Sequence, residues 1–512
     1  MALRQRTTIA LVGAGVGGLA AAARLAAQGF AVEVFERAAV PGGRCGRLEA
    51  DGYAFDTGPT LLLMPEVLEE TFAACGRAAG DYLSLVRCDP NYRIHFHDGS
   101  AVTFTTELVE MGAELERIEP GSFSRYLAFL AQGKVQYTTS LERFVGRNFD
   151  HLGQFLTPAN LRHVLAVRAH RRMYPEVSRF FRDPRLRAAL SFQTMYLGIS
   201  PYESPAVYGL LPFTELAVGI WYPRGGMYQL PVALERLASE LGVTMHYRTG
   251  VTKILVEGER ATGVLLEDGR RVAADVVLCN ADLPWAYRNL LDAADTTLPR
   301  ANRLRYTSSA YMFYLGLSRQ YPQLLHHNVF FGVDYRGSFD DIFHRFRVPA
   351  DPSFYVNVSA RTDPTVAPRG TDNVYVLVPV PHQHEGLDWD EEGSRLRAHV
   401  FGRLAAIGCD DLERRIVVER RFTPDDWEQE LNLEHGAAFG LSHNFFQVGP
   451  FRPANQDRRL RNLFFVGAST QPGTGLPMVM LSAKLVTERI LRFAGEQPRA
   501  VLPASQLAGS AA

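Results

Sequence analysis

Thr7-Thr8-Ile9-Ala10-Leu11-Val12-Gly13-Ala14-Gly15-Val16-Gly17-Gly18 is the stretch on which the fold of this chain turns. Its first half, Thr7 to Val12, is short and apolar, as suits a strand buried in a parallel sheet. The second half carries three glycines in the spacing G-x-G-x-x-G, and the alanine-rich run Leu19 to Gln28 after it reads as a helix. Gly29 is placed to end that helix, and Ala31 to Phe35 reads as a second strand. Strand, glycine turn, helix and strand in this order make a dinucleotide cradle. Gly13 permits the tight turn, Gly15 lets backbone approach a pyrophosphate, and Gly18 lets helix and strand pack closely. Ala14 and Gly17 complete the loop, and the helix start offers free N–H groups and a positive dipole end to phosphate.

Working outward, Glu36 ends the second strand, where an acid accepts hydrogen bonds from ribose hydroxyls and disfavours the 2′-phosphate of NADP. Arg37 follows, then a second glycine turn, Pro41-Gly42-Gly43-Arg44, and a third tight approach at Gly58-Pro59-Thr60 after the strand-like Tyr53 to Asp56. A nicotinamide dehydrogenase needs neither extra turn; a cofactor that reaches further across the protein does, and this predicts FAD. At the far end, Asn462 to Val466 reads as a strand, Gly467 to Pro477 as a glycine loop, and Met478 to Phe493 as a helix. The loop and helix start, with Gly467, Pro477, Met478 and Val479, are expected to close the cofactor site from the other side.

Between these ends, Pro223-Arg224-Gly225-Gly226-Met227 leads into a helical run from Leu230 to Leu241. Hairpin character from Thr244 to Leu266 and a strand-like Val272 to Cys279 follow, then Asn280-Ala281-Asp282. Val251 and Asn280 in this returning segment are assigned to the cofactor. The expected fold is α/β: a discontinuous Rossmann-type FAD-binding domain from residues 1–105, 223–299 and 456–495, with a mixed α+β substrate domain from 106–222 and 300–455. A helical membrane-facing part belongs to the second domain, and 496–512 reads as a flexible tail.

The chain has 512 residues, 46% hydrophobic, with a formal net charge of -1. Near-zero charge argues against nucleic acid as a partner, because phosphate binding needs a surplus of lysine and arginine. Five cysteines are scattered without a CxxC pair or a nearby histidine ladder, so neither a disulfide frame nor a metal site is expected and the setting reads as cytoplasmic. No uncharged apolar run is long enough to cross a bilayer.

Several longer stretches resemble the phytoene desaturases of carotenoid biosynthesis, the fungal-type members above all. They include Gly42-Gly43-Arg44-Cys45 with Gly52 to Pro59, Asn91 to Gly99, Met195 to Pro201, Tyr222 to Gly226, Ser353 to Val358 and the Val466 to Thr470 loop. The resemblance spans almost the whole chain. It implies FAD without nicotinamide, a long polyene substrate such as phytoene on the way to neurosporene or lycopene, and oxygen or a quinone as electron acceptor. Two departures stand out. Gln471-Pro472-Gly473 replaces the His-Pro-Gly of many relatives, and glutamine does not titrate. The membrane-spanning C-terminal extension of the fungal members is also not apparent.

Desaturation calls for hydride transfer and proton loss in a dry, apolar site, with little other machinery. Glu215 is the leading candidate for the proton, with Arg224 beside it in the sequence pattern and Glu203 and Asp282 behind it. The stretch Leu161 to Arg187 interleaves apolar residues with eight arginines against Glu176 and Asp183, which suggests peripheral attachment to an anionic membrane surface and a homo-oligomer there. Other readings are a related carotenoid or apocarotenoid desaturase or oxidase, a flavin amine oxidase, and a non-catalytic lipid carrier on the same fold.

Overall fold

A computed structural model describes residues 7–149, 151–299, 301–383 and 386–499. The expected tail, 496–512, therefore lies mostly outside the described residues. Five short strands form one parallel sheet: β1 (Thr8–Val12), β2 (Ala31–Phe35), β3 (Thr244–His246), β4 (Val276–Cys279) and β5 (Leu463–Phe465), in the spatial order β5-β4-β1-β2-β3. All neighbours in it run parallel. The pair β1 and β2 comes from the start of the chain, one edge strand from its middle and the other from near its end, so three separate segments are needed to build one cofactor-binding sheet.

Helix α1 (Val16–Ala27) packs on this sheet, with α2 (Gln229–Glu240) and α3 (Leu476–Ala494) against it. Helix α1 is almost wholly buried and rich in alanine, which lets α3 and α2 approach closely on its flanks. It begins at Val16, three residues before the sequence reading, because the second half of the glycine motif is already its first turn. The predicted hairpin starts later than expected. Thr244–His246 joins the parallel sheet instead, and Val251–Glu257, Arg260–Leu266 and Arg271–Ala273 form a separate three-stranded antiparallel sheet.

The second large sheet has seven strands, in the order Ile416–Phe422, Ser309–Leu317, Asp372–Val380, Phe354–Asn357, His327–Phe330, Tyr92–His95 and Ala101–Phe104. Its pairings are antiparallel except for Tyr92–His95 against His327–Phe330. This corrects the boundary at residue 105: the strands at 92–104 lie in the cofactor segment by sequence but pair with the substrate sheet. Short apolar strands with turn residues between them look alike in sequence, and only pairing decides which sheet they join. Helices between Ser122 and Ala189 share one core cluster with the strands Tyr92–His95 and Ala101–Phe104, and none of the described helices is long and apolar enough to cross a membrane.

Candidate functional site

At the end of β1 the chain turns through Gly13 at φ 93° and enters α1 at Gly15. A helix start leaves its first N–H groups without intrahelical acceptors, and here they face a cleft. Close packing dictates the glycines. A Cβ on Gly18 would meet the Gly13 carbonyl oxygen at 2.5 Å, and one on Gly15 would meet Asn280 Oδ1 at 2.7 Å. Asn280 ends β4 with its amide donating to the Val466 carbonyl at 2.9 Å, so one side chain joins the N-terminal turn to the C-terminal loop. Gly42 donates its N–H to the Ala14 carbonyl at 2.9 Å, laying the second glycine turn along the first.

Glu36 sits as expected at the end of β2. Its carboxylate accepts from the Ala14 N–H at 2.7 Å and the Ala38 N–H at 2.8 Å, which fixes it facing the cleft. Gly58 packs on the carbonyl of Arg44 so tightly that a Cβ there would lie 1.7 Å from that oxygen. The Arg44 side chain is half-buried and donates to the Ala438 carbonyl at 3.3 Å; burial lowers its pKa, and Asp282 beside it opposes that. Asp282 accepts a 2.6 Å hydrogen bond from Ser469, so Arg44 and the C-terminal loop share one carboxylate. Burial pushes this carboxyl up while Arg44 holds it down.

One cavity of ≈ 1300 Å³ joins these pieces. That exceeds the roughly 300–1,000 Å³ of a single small-molecule site, so it has room for a dinucleotide and a second ligand. Of the assigned cofactor residues, Gly13, Gly15, Gly17, Glu36, Arg37, Gly43, Arg44, Gly58, Pro59, Thr60, Val251, Asn280, Gly467, Pro477, Met478 and Val479 line it. Ala14 and Gly18 do not. Ala14 acts through its backbone bonds to Glu36 and Gly42, and Gly18 faces inward against Gly13. These residues fit FAD: two helix starts that lie side by side, a Cβ on Gly17 reaching to 3.5 Å from Val479, a glycine surface where a Cβ would intrude, and an acid at the ribose position.

The cavity's other lobe is walled by the second sheet and by the helices between residues 137 and 211. Phe192, Tyr196, Leu211, Phe331, Phe354 and Tyr355 are among its residues, and the charged residue that the stretches 137–211 and 329–355 contribute, Arg147, is exposed to solvent. The carboxylates that line the cavity are Glu36, Glu267, Asp282 and Glu430; the stretches 137–211 and 329–355 contribute none.

The proposed proton acceptors fall in different places. Arg224 is exposed and outside the cavity, so its catalytic assignment is corrected: Gly225 and Gly226 make a turn held by Asp363 and Asp56, and the arginine acts on the Asp363 carboxylate. Glu203 lies half exposed beside His344 and also outside. Glu215 is fully buried, as its assignment to the proton supposed, and does not line the cavity. It sits in a π-turn, Thr214–Val218, and its Oε1 accepts from Tyr92 at 2.8 Å and Gln193 at 2.7 Å. Burial raises its pKa to about 7, against lowering contributions from Gln193, Tyr92 and Tyr196. Tyr196 does line the cavity, so Glu215 stands one side chain behind the wall.

Sequence reasoning missed the residues that hold the C-terminal loop. Arg452 is buried and donates to the carbonyls of Leu441, Ser442, Gln447, Ala468 and Thr470. Burial lowers its pKa to about 10, so it stays charged at neutral pH. Asn455 donates to the carbonyls of Phe465 and Gln471 from the same side. Gln471 lines the cavity as loop scaffolding, while an imidazole comes from elsewhere. His443 Nε2 accepts the Thr474 N–H at 3.1 Å, and burial keeps its pKa far below the usual range, so it is neutral. An arginine in a Gly-Pro-Phe-Arg loop carries no motif that would have flagged it.

The arginine-rich stretch is less basic than it reads. Arg168, Arg171 and Arg179 converge on the buried carboxylate of Glu176, and Arg185 pairs with Asp183. Arg162, Arg172 and Arg182 remain exposed.

The fold and cradle define a flavoprotein oxidoreductase: the model of the flavin containing amine oxidoreductase family matches residues 16–491. Among solved structures, an oxidoreductase from Methanosarcina mazei aligns with TM-score 0.63 and 17% identity over 94% of this chain and 100% of its own. The zeta-carotene-forming phytoene desaturase of Myxococcus xanthus is 65% identical over 98% of this chain and 96% of its own, and the phytoene desaturase of Neurospora crassa 41% identical over 95% and 85%. The chain belongs to the carotenoid desaturases within that family, an FAD-dependent oxidoreductase acting on CH–CH bonds. The fungal likeness expected from sequence is present, but at much lower identity than to the bacterial enzyme.

Proposed function

We propose that this enzyme desaturates phytoene and that its product is ζ-carotene, as the name of its 65%-identical bacterial relative states for that protein. The observation that carries the substrate class is the continuity of an apolar, aromatic lobe with the glycine cradle in one cavity. Bound FAD supplies the two-electron acceptor for hydride leaving an allylic carbon. The protein's part is to lay a long apolar chain along the aromatic wall, exclude water, and face electron-rich rings such as Phe192, Tyr196 and Tyr355 toward positive charge developing on the polyene.

With no carboxylate among the lining residues of 137–211 and 329–355, the proton leaves through Tyr196 toward Glu215, whose burial holds it ready to take a proton near neutral pH. Glu215→Gln then slows turnover while FAD stays bound. Unchanged turnover would remove Glu215 from the mechanism.

Substrate enters from a membrane surface in this reading. The short helices Leu152–Phe155 and Pro158–Ala166 turn Phe155 and Val164 into the cavity, while Leu156, Leu161 and Leu165 are 51%, 49% and 60% exposed on the outside next to Arg162. An apolar outer face beside a cation suits peripheral docking on a bilayer that dissolves the substrate.

The deciding experiment is pigment analysis in a bacterial host that accumulates phytoene. ζ-Carotene as the main product is expected. Persistence of phytoene while the purified protein holds FAD would sink the assignment, and neurosporene or lycopene would move the product further along.

A further inference from the structure

Cys88 ends the strand Leu85–Cys88, and His326 and His327 stand at the start of the strand His327–Phe330. The parallel pairing of Tyr92–His95 with His327–Phe330 draws these distant segments together. Cys88 is 1% exposed, His326 4% and His327 1%. A ligand-competent atom of each lies within 4.8 Å of the other two.

The histidines also carry the mark of a built site. His326 Nδ1 lies 2.6 Å from Thr362 Oγ1, and His327 Nδ1 lies 2.6 Å from the Tyr355 hydroxyl. Neither Nε2 has a partner among the described residues. An imidazole whose Nδ1–H is donated to a hydroxyl presents the Nε2 lone pair, and metal-bound histidines are fixed by such a second hydrogen bond. Two orphaned imidazole lone pairs in a dry interior are otherwise costly, since buried polar groups nearly always have partners. Burial also keeps both imidazoles neutral, the form that ligates.

We propose that Cys88, His326 and His327 together bind one soft d10 metal ion, Zn2+ or Cu+. Thiolate and imidazole ligands select this class and disfavour Mg2+ and Ca2+, which take oxygen. On binding, the Cys88 thiol loses its proton to solvent and its sulfur bonds the ion. A Cu+ site then carries no net charge with three ligands; a Zn2+ site keeps one positive charge and takes a fourth ligand. The ion also bears on the cavity. His327 holds the hydroxyl of Tyr355, which meets Thr60 Oγ1 at 2.8 Å, and both Tyr355 and Thr60 line the cavity wall. Metal at this site would lock that wall between cofactor and substrate.

The test uses the FAD-loaded enzyme, purified without a metal-affinity step from cells grown with added zinc and copper. Metal is counted against flavin, with about one equivalent expected per chain. Chelated enzyme is then titrated separately with Zn2+ and with Cu+ under reducing conditions, and the ion that rebinds names the source. Cys88→Ala and His326→Leu should each abolish uptake while flavin content holds. Failure of the wild type to take up either ion stoichiometrically, as purified and after titration, overturns the proposal. So does uptake that Cys88→Ala leaves unchanged. Should a variant lose its flavin, the wild-type titration alone decides.

Discussion

Gly58 shows how little room the cofactor cradle leaves. With the Arg44 carbonyl 1.7 Å from where a Cβ would stand, Gly58→Ala must displace the turn that carries Gly43 and Arg44. We expect FAD affinity to fall by at least about tenfold, equivalent to 1.4 kcal/mol, read as flavin retained after gel filtration. Glu215 gives a pH signature at the same scale. Its folded value of about 7 lies above the ordinary 4.5, so the folded chain keeps a proton that the unfolded chain releases. Stability from this group is full below pH 4.5 and is lost as pH rises toward 7. Glu215→Gln removes that loss. Relative to wild type, the variant should gain on the order of 1–3 kcal/mol between about pH 4.5 and about pH 8 in denaturant titrations. A difference that does not change with pH would mean that Glu215 is ionised in the fold.

At the scale of elements, the cofactor site depends on two helix starts held in place by different means. Helix α1 follows directly from a strand, so the hydrogen bonds of β1 fix its position. Helix α3 follows a long loop, and Arg452 and Asn455 hold that loop by its carbonyls. Arg452→Met keeps much of the side-chain volume but leaves several buried carbonyls without a donor. Charged hydrogen bonds of this kind contribute about 1.5–3 kcal/mol each, though not additively. A loss of more than about 3 kcal/mol is expected, with weakened flavin retention, measured by denaturant unfolding of the apoprotein and by flavin content. A variant with wild-type stability would show that the β5–α3 loop holds itself.

For the whole molecule, the question is how a hydrocarbon substrate reaches a buried flavin. The helices at 152–166 face the cavity on one side and present three exposed leucines on the other. Replacing Leu156, Leu161 and Leu165 together with serine should leave the flavin spectrum intact and reduce co-sedimentation with anionic vesicles several-fold. Each buried leucine contributes about 1.5–3 kcal/mol. Equal sedimentation of variant and wild type would place the docking face elsewhere. The arginine stretch behind these helices is a weaker attractor than its sequence suggests, because Glu176 in the interior already engages three of its cations.

The sequence by itself determined the cofactor half of this protein. Glycines are required wherever backbone approaches backbone or phosphate, and an acid is required at the ribose; such needs are local and leave a spaced pattern at 13–18, 36, 42–44 and 467–475. Tertiary structure alone decided the rest. Which sheet takes the strands at 92–104 depends on pairing, since a short apolar strand does not specify its neighbour. Whether Glu215 touches substrate depends on Tyr196 standing between them. Arg452, His443 and the group of Cys88 with His326 and His327 are joined only in space. A side chain's partners across the core leave no periodicity or spacing in the chain, and burial, which makes those partners matter, exists only once the chain has folded.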